Sequence, residues 1–117
     1  MRLNEVSFTG PPPIDGYGPG FFRIAGEVLH GPRLIGPEVN LEWDGVSAAQ
    51  ALALAGRVDL VLLGLGAEIT APPAELLEEL EAAGLAVEFM ATPPACRTYN
   101  VLLGEGRRIG AALLPVT

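Results

Sequence analysis

Asp59-Leu60-Val61-Leu62-Leu63-Gly64-Leu65-Gly66 is the stretch on which the fold turns. Its apolar run is nearly continuous from Leu60 to Gly64, with no polar residue to mark a solvent face. Strands buried on both faces by flanking helices look like this in parallel sheets, whereas half-exposed strands alternate. Working outward from it, strand and helix signals alternate on both sides. Ahead of it, Ser47-Ala48-Ala49-Gln50 has the spacing of a capping box, Ser47 at the N-cap and Gln50 at the third helical position. That helix is expected to run to about Ala55, with Gly56 as its left-handed terminator. Before it, Val39 to Trp43 reads as a strand.

Downstream, Pro72 and Pro73 open a second helix, at the turn where proline costs least. Leu76, Leu77, Leu80 and Ala83 recur on one face, with Glu75, Glu78 and Glu79 on the other. Gly84 ends it, and Leu85 to Met90 is the next strand. Thr92 is expected to cap a third helix, with Pro93 at its first position, running to about Leu103. Gly104-Glu105-Gly106 turns the chain, and Arg108 to Leu114 closes the series as a strand. The first third differs. Val6 and Phe8, Ile14 to Tyr17, Phe21 to Ile24 and Glu27 to His30 are short β signals cut by Gly-Pro punctuation. Ala25-Gly26 between two of them predicts a hairpin. The expected architecture is a single α/β domain over residues 1–117. An N-terminal antiparallel meander precedes β-α-β-α-β-α-β around a parallel or mixed sheet.

Composition narrows the function. A chain of 117 residues, 50% hydrophobic and 18% charged, has the apolar content for one folded core. Its net charge is −7 and all seven cations are arginines, adjacent only at Arg107-Arg108. Phosphate-driven nucleic-acid binding and attachment to anionic lipid surfaces are therefore poor fits. One cysteine and one histidine cannot assemble an N/S zinc cluster or an internal disulfide. With no lysine, the phosphate-binding G-x-x-x-x-G-K-[ST] loop is absent. Neither an apolar signal core after Met1 nor a membrane-length apolar run is visible, and the expectation is a cytoplasmic protein with no metal and no cofactor.

Two segments carry enough polarity or backbone freedom to form a site. The first is the Gly64-Leu65-Gly66 junction, where glycines at the carboxyl end of a strand allow close approach of a ligand. Its structural alternative is a tight turn. The second is Thr92-Pro93-Pro94-Ala95-Cys96-Arg97-Thr98-Tyr99-Asn100, the densest polar cluster in an otherwise apolar half. A thiol near a helix start and beside Arg97 has two influences that lower its pKa, and the backbone N–H groups there favour an anion. The structural alternative is a buried cysteine with Tyr99 and Asn100 satisfying neighbouring backbone. The single histidine, His30, is remote in sequence from Cys96, so no oriented base is evident and no catalytic residue is assigned.

The ordered set Val61-Leu62-Leu63-Gly64-Leu65-Gly66, Val87-Glu88-Phe89-Met90, Thr92, Ala95-Cys96-Arg97-Thr98-Tyr99-Asn100-Val101-Leu102 and Glu105-Gly106-Arg107-Arg108 resembles a known small family. It is the domain-of-unknown-function family numbered 498, which holds archaeal and bacterial stand-alone domains and the mitochondrial complex I assembly factor 3. The resemblance implies a three-layer α/β fold with a mixed central sheet and an added antiparallel β layer. It implies no agreed enzymatic activity. The mitochondrial member acts through protein contacts during assembly of the respiratory NADH:ubiquinone oxidoreductase. The expectation is accordingly a non-catalytic protein-binding or assembly-helper domain with an unidentified protein partner. The alternative is a small-molecule or anion-binding domain, with an enzyme as one form of it, at the Gly64–Gly66 and Thr92–Asn100 junction. The residues to follow are Gly64, Gly66, Thr92, Cys96, Arg97, Tyr99, Asn100 and Arg107.

Overall fold

Among the described residues, eight strands and three helices alternate as the sequence predicts in its second half and add one strand that it hides. The computed structural model describes residues 11–117. The expected strand at Val6 and Phe8 lies outside them. Strands β1 (Ile14–Gly18), β2 (Phe21–Ile24) and β3 (Glu27–His30) form the antiparallel meander, in that order. Its second turn is Ala25-Gly26, with φ of 54° and 81°. Two positive φ values make the tight primed turn whose twist matches the strands it joins.

The strand hidden from sequence reading is β4 (Arg33–Gly36), which turns back into β5 (Val39–Glu42) through Pro37-Glu38. It is four residues long, opens on an arginine and is flanked on both sides by Gly-Pro, so punctuation masks it. All four of its residues are buried. The remaining elements are α1 (Ala48–Ala51), β6 (Leu60–Leu65), α2 (Ala74–Ala82), β7 (Ala86–Met90), α3 (Thr92–Gly104) and β8 (Ile109–Leu114).

Five of the strands make one sheet, ordered β5-β4-β8-β6-β7. β6 pairs in parallel with both β7 and β8, while β4 pairs antiparallel with β5 and β8. The sheet is therefore mixed, with β4 alone running against the rest. The chain leaves β6 for the edge position β7, then reverses past β6 to reach β8. Right-handed crossovers taken in opposite directions put their helices on opposite faces. Packing follows that rule. Leu76 and Leu80 of α2 join one core with Leu34, Trp43, Leu54, Val61, Leu63 and Ala112. Ala95, Cys96 and Tyr99 of α3 join a second with Ile14, Phe22, Ile24, Ile35, Leu62 and Leu113. The three layers are thus α1 with α2, the mixed sheet, and α3 together with the meander. This is the three-layer α/β architecture expected.

Local departures have local causes. The first helix is shorter than its pattern predicts: after Ala51 it tightens into a 3₁₀ turn, Leu52–Leu54. The tightening sets Leu54 against the sheet at Gly36 and Gly110, where a Cβ would come within 2.8 and 3.0 Å of its methyl groups. Half of the capping box forms, with the Gln50 N–H donating to Ser47 Oγ at 3.2 Å. The other half is replaced. Asp44 Oδ1 takes the Ser47 N–H, and Gln50 Oε1 instead accepts from the Asp44 N–H at 3.0 Å. In α2, Ala83 falls at the C-cap and is exposed, because the chain already turns towards Gly84.

Candidate functional site

An open α/β sheet leaves its crevice at the carboxyl ends of strands from which the chain departs to opposite faces. Here that place lies between the ends of β6 and β7, where Gly64, Gly66 and Thr92 come together. Thr92 fills it. It is not the N-cap, a position taken by Ala91, but the first residue of α3, and its side chain is fully buried. Its Oγ1 accepts from the Gly66 N–H at 2.9 Å and donates to the Leu114 carbonyl at 2.5 Å. Its own N–H donates to the Gly66 carbonyl at 2.7 Å. One threonine thereby fastens the ends of β6 and β8 to the start of α3.

The same bonds settle what the helix start can offer a ligand. Thr92 N–H is engaged, Pro93 and Pro94 have no N–H, and Ala95 N–H already donates to Ala91 O at 3.1 Å. A helix N-terminus holds an anion through unpaired N–H groups. The first four residues of α3 have none, so the expected backbone anion cradle does not form. Gly64 serves packing. A Cβ there would sit 2.7 Å from Leu113 Cδ2, 3.0 Å from Thr92 Oγ1 and 3.3 Å from Ala95 Cβ. Its missing side chain lets α3 lie directly on β6.

Cys96 points into the second core and is 4% exposed. Burial pushes its thiol up to about 11, outweighing the opposing pull of the Arg97 charge. The lowered pKa expected from the helix start and Arg97 is not what this environment produces, because desolvation of a thiolate dominates. Asn100 carries out the backbone role foreseen for it. Its Oδ1 accepts from Ile14 N–H and its Nδ2 donates to Ile14 O, both at 2.8 Å. The amide thus acts as a strand partner for β1 and locks the meander onto α3. Arg97 and Arg107 are exposed and take no part in the Thr92 cluster. Arg108, not singled out from sequence, reaches back to Arg57 O and Gly56 O at 3.3 and 3.2 Å.

Tyr99 behaves differently from its neighbours. It is fully buried, burial pushes its phenol up to about 12, and its hydroxyl has no hydrogen-bond partner among the described residues. Arg33 of β4 is 7% exposed and its Nε also lacks a partner among the described residues. Its Nη2 donates to Asn40 Oδ1 at 2.7 Å. Arg33 and Asn40 went unnoticed in the sequence. The signal was present in Pro32-Arg33-Leu34-Ile35, a lone cation inside a short apolar run.

Residues 14–114 match the family model described as a protein of unknown function, DUF498/DUF598. The chain belongs to that family. Within the DUF498/DUF598 family it is 56% identical to an uncharacterized protein of Rhodobacter capsulatus, over 99% of this chain and 94% of the relative. It is 37% identical to the zebrafish (Danio rerio) NADH dehydrogenase (ubiquinone) 1 alpha subcomplex assembly factor 3, over 87% of this chain. The match spans 63% of that longer protein. Among solved structures, a Bartonella henselae protein titled an outer membrane protein superposes with a TM-score of 0.83. It shares 32% identity, over 95% of this chain and all of that one. Among the described residues of this family member, no helix is long and apolar enough to cross a membrane.

Proposed function

We propose that this chain is a non-catalytic assembly helper that works through protein–protein contacts. The observation that carries this reading is its likeness to complex I assembly factor 3. The geometry of the polar cluster supports it. Thr92 and Asn100 spend their hydrogen bonds on the protein's own backbone, and Cys96 is a protonated core thiol. The surface keeps features suited to a partner. Among the described residues β7 is a sheet edge, a place where another chain can add hydrogen bonds, and its Phe89 is 40% exposed.

The test is genetic and biochemical together. Deleting the gene in a host whose respiratory chain contains NADH:ubiquinone oxidoreductase should lower the amount of the assembled enzyme on native gels. The full-length wild-type chain should restore it. Unchanged enzyme levels, with no co-purifying assembly intermediate, would overturn the assembly role.

A further inference from the structure

The outer side of β7 can be read residue by residue. Among the described residues β7 pairs with β6 alone, and the Ala86 N–H donates to the Asp59 carbonyl at 3.1 Å. In a parallel ladder both backbone groups of one residue face the same neighbour, and the direction alternates along the strand. Ala86, Glu88 and Met90 therefore turn their N–H and C=O towards β6, while Val87 and Phe89 turn theirs outward. Among the described residues nothing takes those outward groups. Edge strands are ordinarily blunted by proline, a bulge, a lysine or a covering loop. β7 runs Ala86-Val87-Glu88-Phe89-Met90 in unbroken register with β6 and has none of the first three. The opposite edge differs, because Val39, Asn40 and Leu41 of β5 share a groove with Pro11 and Pro12, where the described chain begins.

Charge and side-chain alternation specify the occupant. Val87 packs against the core that α2 covers, so Phe89 shares that face, and Glu88 lies on the other face with Met90. Phe89 and Glu88 are both exposed. Between Arg57 and Arg97 every charged residue is a carboxylate. Glu75, Glu78, Glu79 and Glu81 of α2, the helix that packs beside β7, are all exposed. A second copy of this chain, added edge to edge, would bring these carboxylates and two Glu88 side chains together, which like-charge repulsion opposes. A basic strand is attracted instead. We propose that β7 accepts an extended basic segment of a protein partner as the next strand of the sheet, with apolar side chains beside Val87 and Phe89 and an arginine or lysine beside Glu88. The inference rests on the protein-contact reading above and gives that contact a place and a sequence pattern. Val87 and Phe89 supply the backbone pairing, the Phe89 ring supplies apolar contact, and Glu88 supplies the counter-charge.

The probe is a capped peptide of about seven residues that alternates valine and arginine. Its counterparts carry glutamate for arginine, or N-methyl groups along one backbone edge. In the free, full-length ¹⁵N-labelled chain the Val87 and Phe89 amides should exchange with deuterium faster than those of Ala86 and Glu88. The arginine peptide should slow the two fast amides and give saturable shifts along β7. The glutamate and N-methylated peptides should bind about tenfold more weakly or not at all. Glu88→Lys should weaken the arginine peptide about fivefold. Phe89→Pro removes an outward N–H, the position on an edge strand where proline is tolerated, and should abolish binding. If that variant does not fold, Phe89→Ala decides, with an expected loss of about fivefold. Protection of the Val87 and Phe89 amides in the free chain, whether by a second copy or by residues 1–10, overturns the site. So do no saturable shift with the arginine peptide, shifts confined to β5, equal binding of either counterpart, or unchanged affinity in the deciding Phe89 variant. The gene-deletion host separates this contact from the assembly role. If the wild-type chain and a folded Phe89 variant restore the enzyme equally, the β7 contact falls alone. If deletion has no effect, the assembly role falls alone and the titration still judges β7.

Discussion

Helix α3 presents two kinds of polar side chain within two turns of each other. At its start, Thr92 gives both of its hydroxyl functions and its N–H to Gly66 and Leu114. Further along, the Tyr99 hydroxyl is just as buried and has no partner among the described residues. The first arrangement uses up its hydrogen-bonding capacity inside the protein and so has nothing left for a ligand. The second retains capacity next to a cavity. Polarity in a sequence therefore does not mark a site. Only the packed structure shows which residues have hydrogen-bonding capacity left.

The largest expected effect breaks the satisfied side of this contrast. Thr92→Val keeps the shape but leaves the Gly66 N–H and the Leu114 carbonyl unpaired in a buried place. Each such group costs about 1–3 kcal/mol, so the variant should lose roughly 3 kcal/mol of unfolding free energy in urea titration. A loss near zero would mean that water replaces the hydroxyl, and the junction would then be open after all. Gly64→Ala comes next. Its Cβ at 2.7 Å from Leu113 Cδ2 forces α3 away from β6, at a cost of about 1–3 kcal/mol for an overpacked core. The two effects should add poorly when combined, because both act on the contact between Thr92 and the end of β6.

Much of this fold was legible because its signals are local. The apolar run at β6, the glycine and proline stops and the 3.6-residue spacing of α2 each occupy a few neighbouring positions. β4 was not legible because it is four residues long between Gly-Pro breaks, and its place in the sheet depends on Ala112 and Leu113, far along the chain. The candidate site divides in the same way. That Thr92, Cys96, Tyr99 and Asn100 share one short segment is a fact of sequence. That Asn100 meets Ile14, 86 positions away, is a fact of topology. Arg33 and Asn40 became visible as a pair only once β4 and β5 were folded against each other.

Cys96 sharpens the contrast through pH. Its folded pKa of about 11 lies above the ordinary value of 9.0. Between those values the unfolded chain has released the proton and the folded chain still holds it. Fewer protons on the unfolded state mean that stability falls as pH rises, and it is fully present below about pH 9. One proton sets a ceiling of about 1.4 kcal/mol per pH unit on this slope. Cys96→Ala should flatten part of the decline between pH 9 and 11, as read by denaturant titration at several pH values. Iodoacetamide at pH 8 should leave the native thiol unmodified and label it on unfolding. Rapid native labelling would place a thiolate where the packing shows a core residue.

The smallest expected effect is the most discriminating. A tyrosine hydroxyl with a good internal hydrogen bond costs about 0.5–1.5 kcal/mol to remove, and more when its partner is left buried and unpaired. Tyr99→Phe removes a hydroxyl that has no hydrogen-bond partner among the described residues, so the change in unfolding free energy should fall within about 0.5 kcal/mol of zero, or favour the variant. That near-silence in stability separates an unspent hydroxyl from an architectural one. Thr92 and Tyr99 would then differ in the measurement as they differ in the structure. If Tyr99→Phe instead destabilises the chain by as much as Thr92→Val, the hydroxyl is already spent within the fold. The two halves of α3 would then be architecture alike.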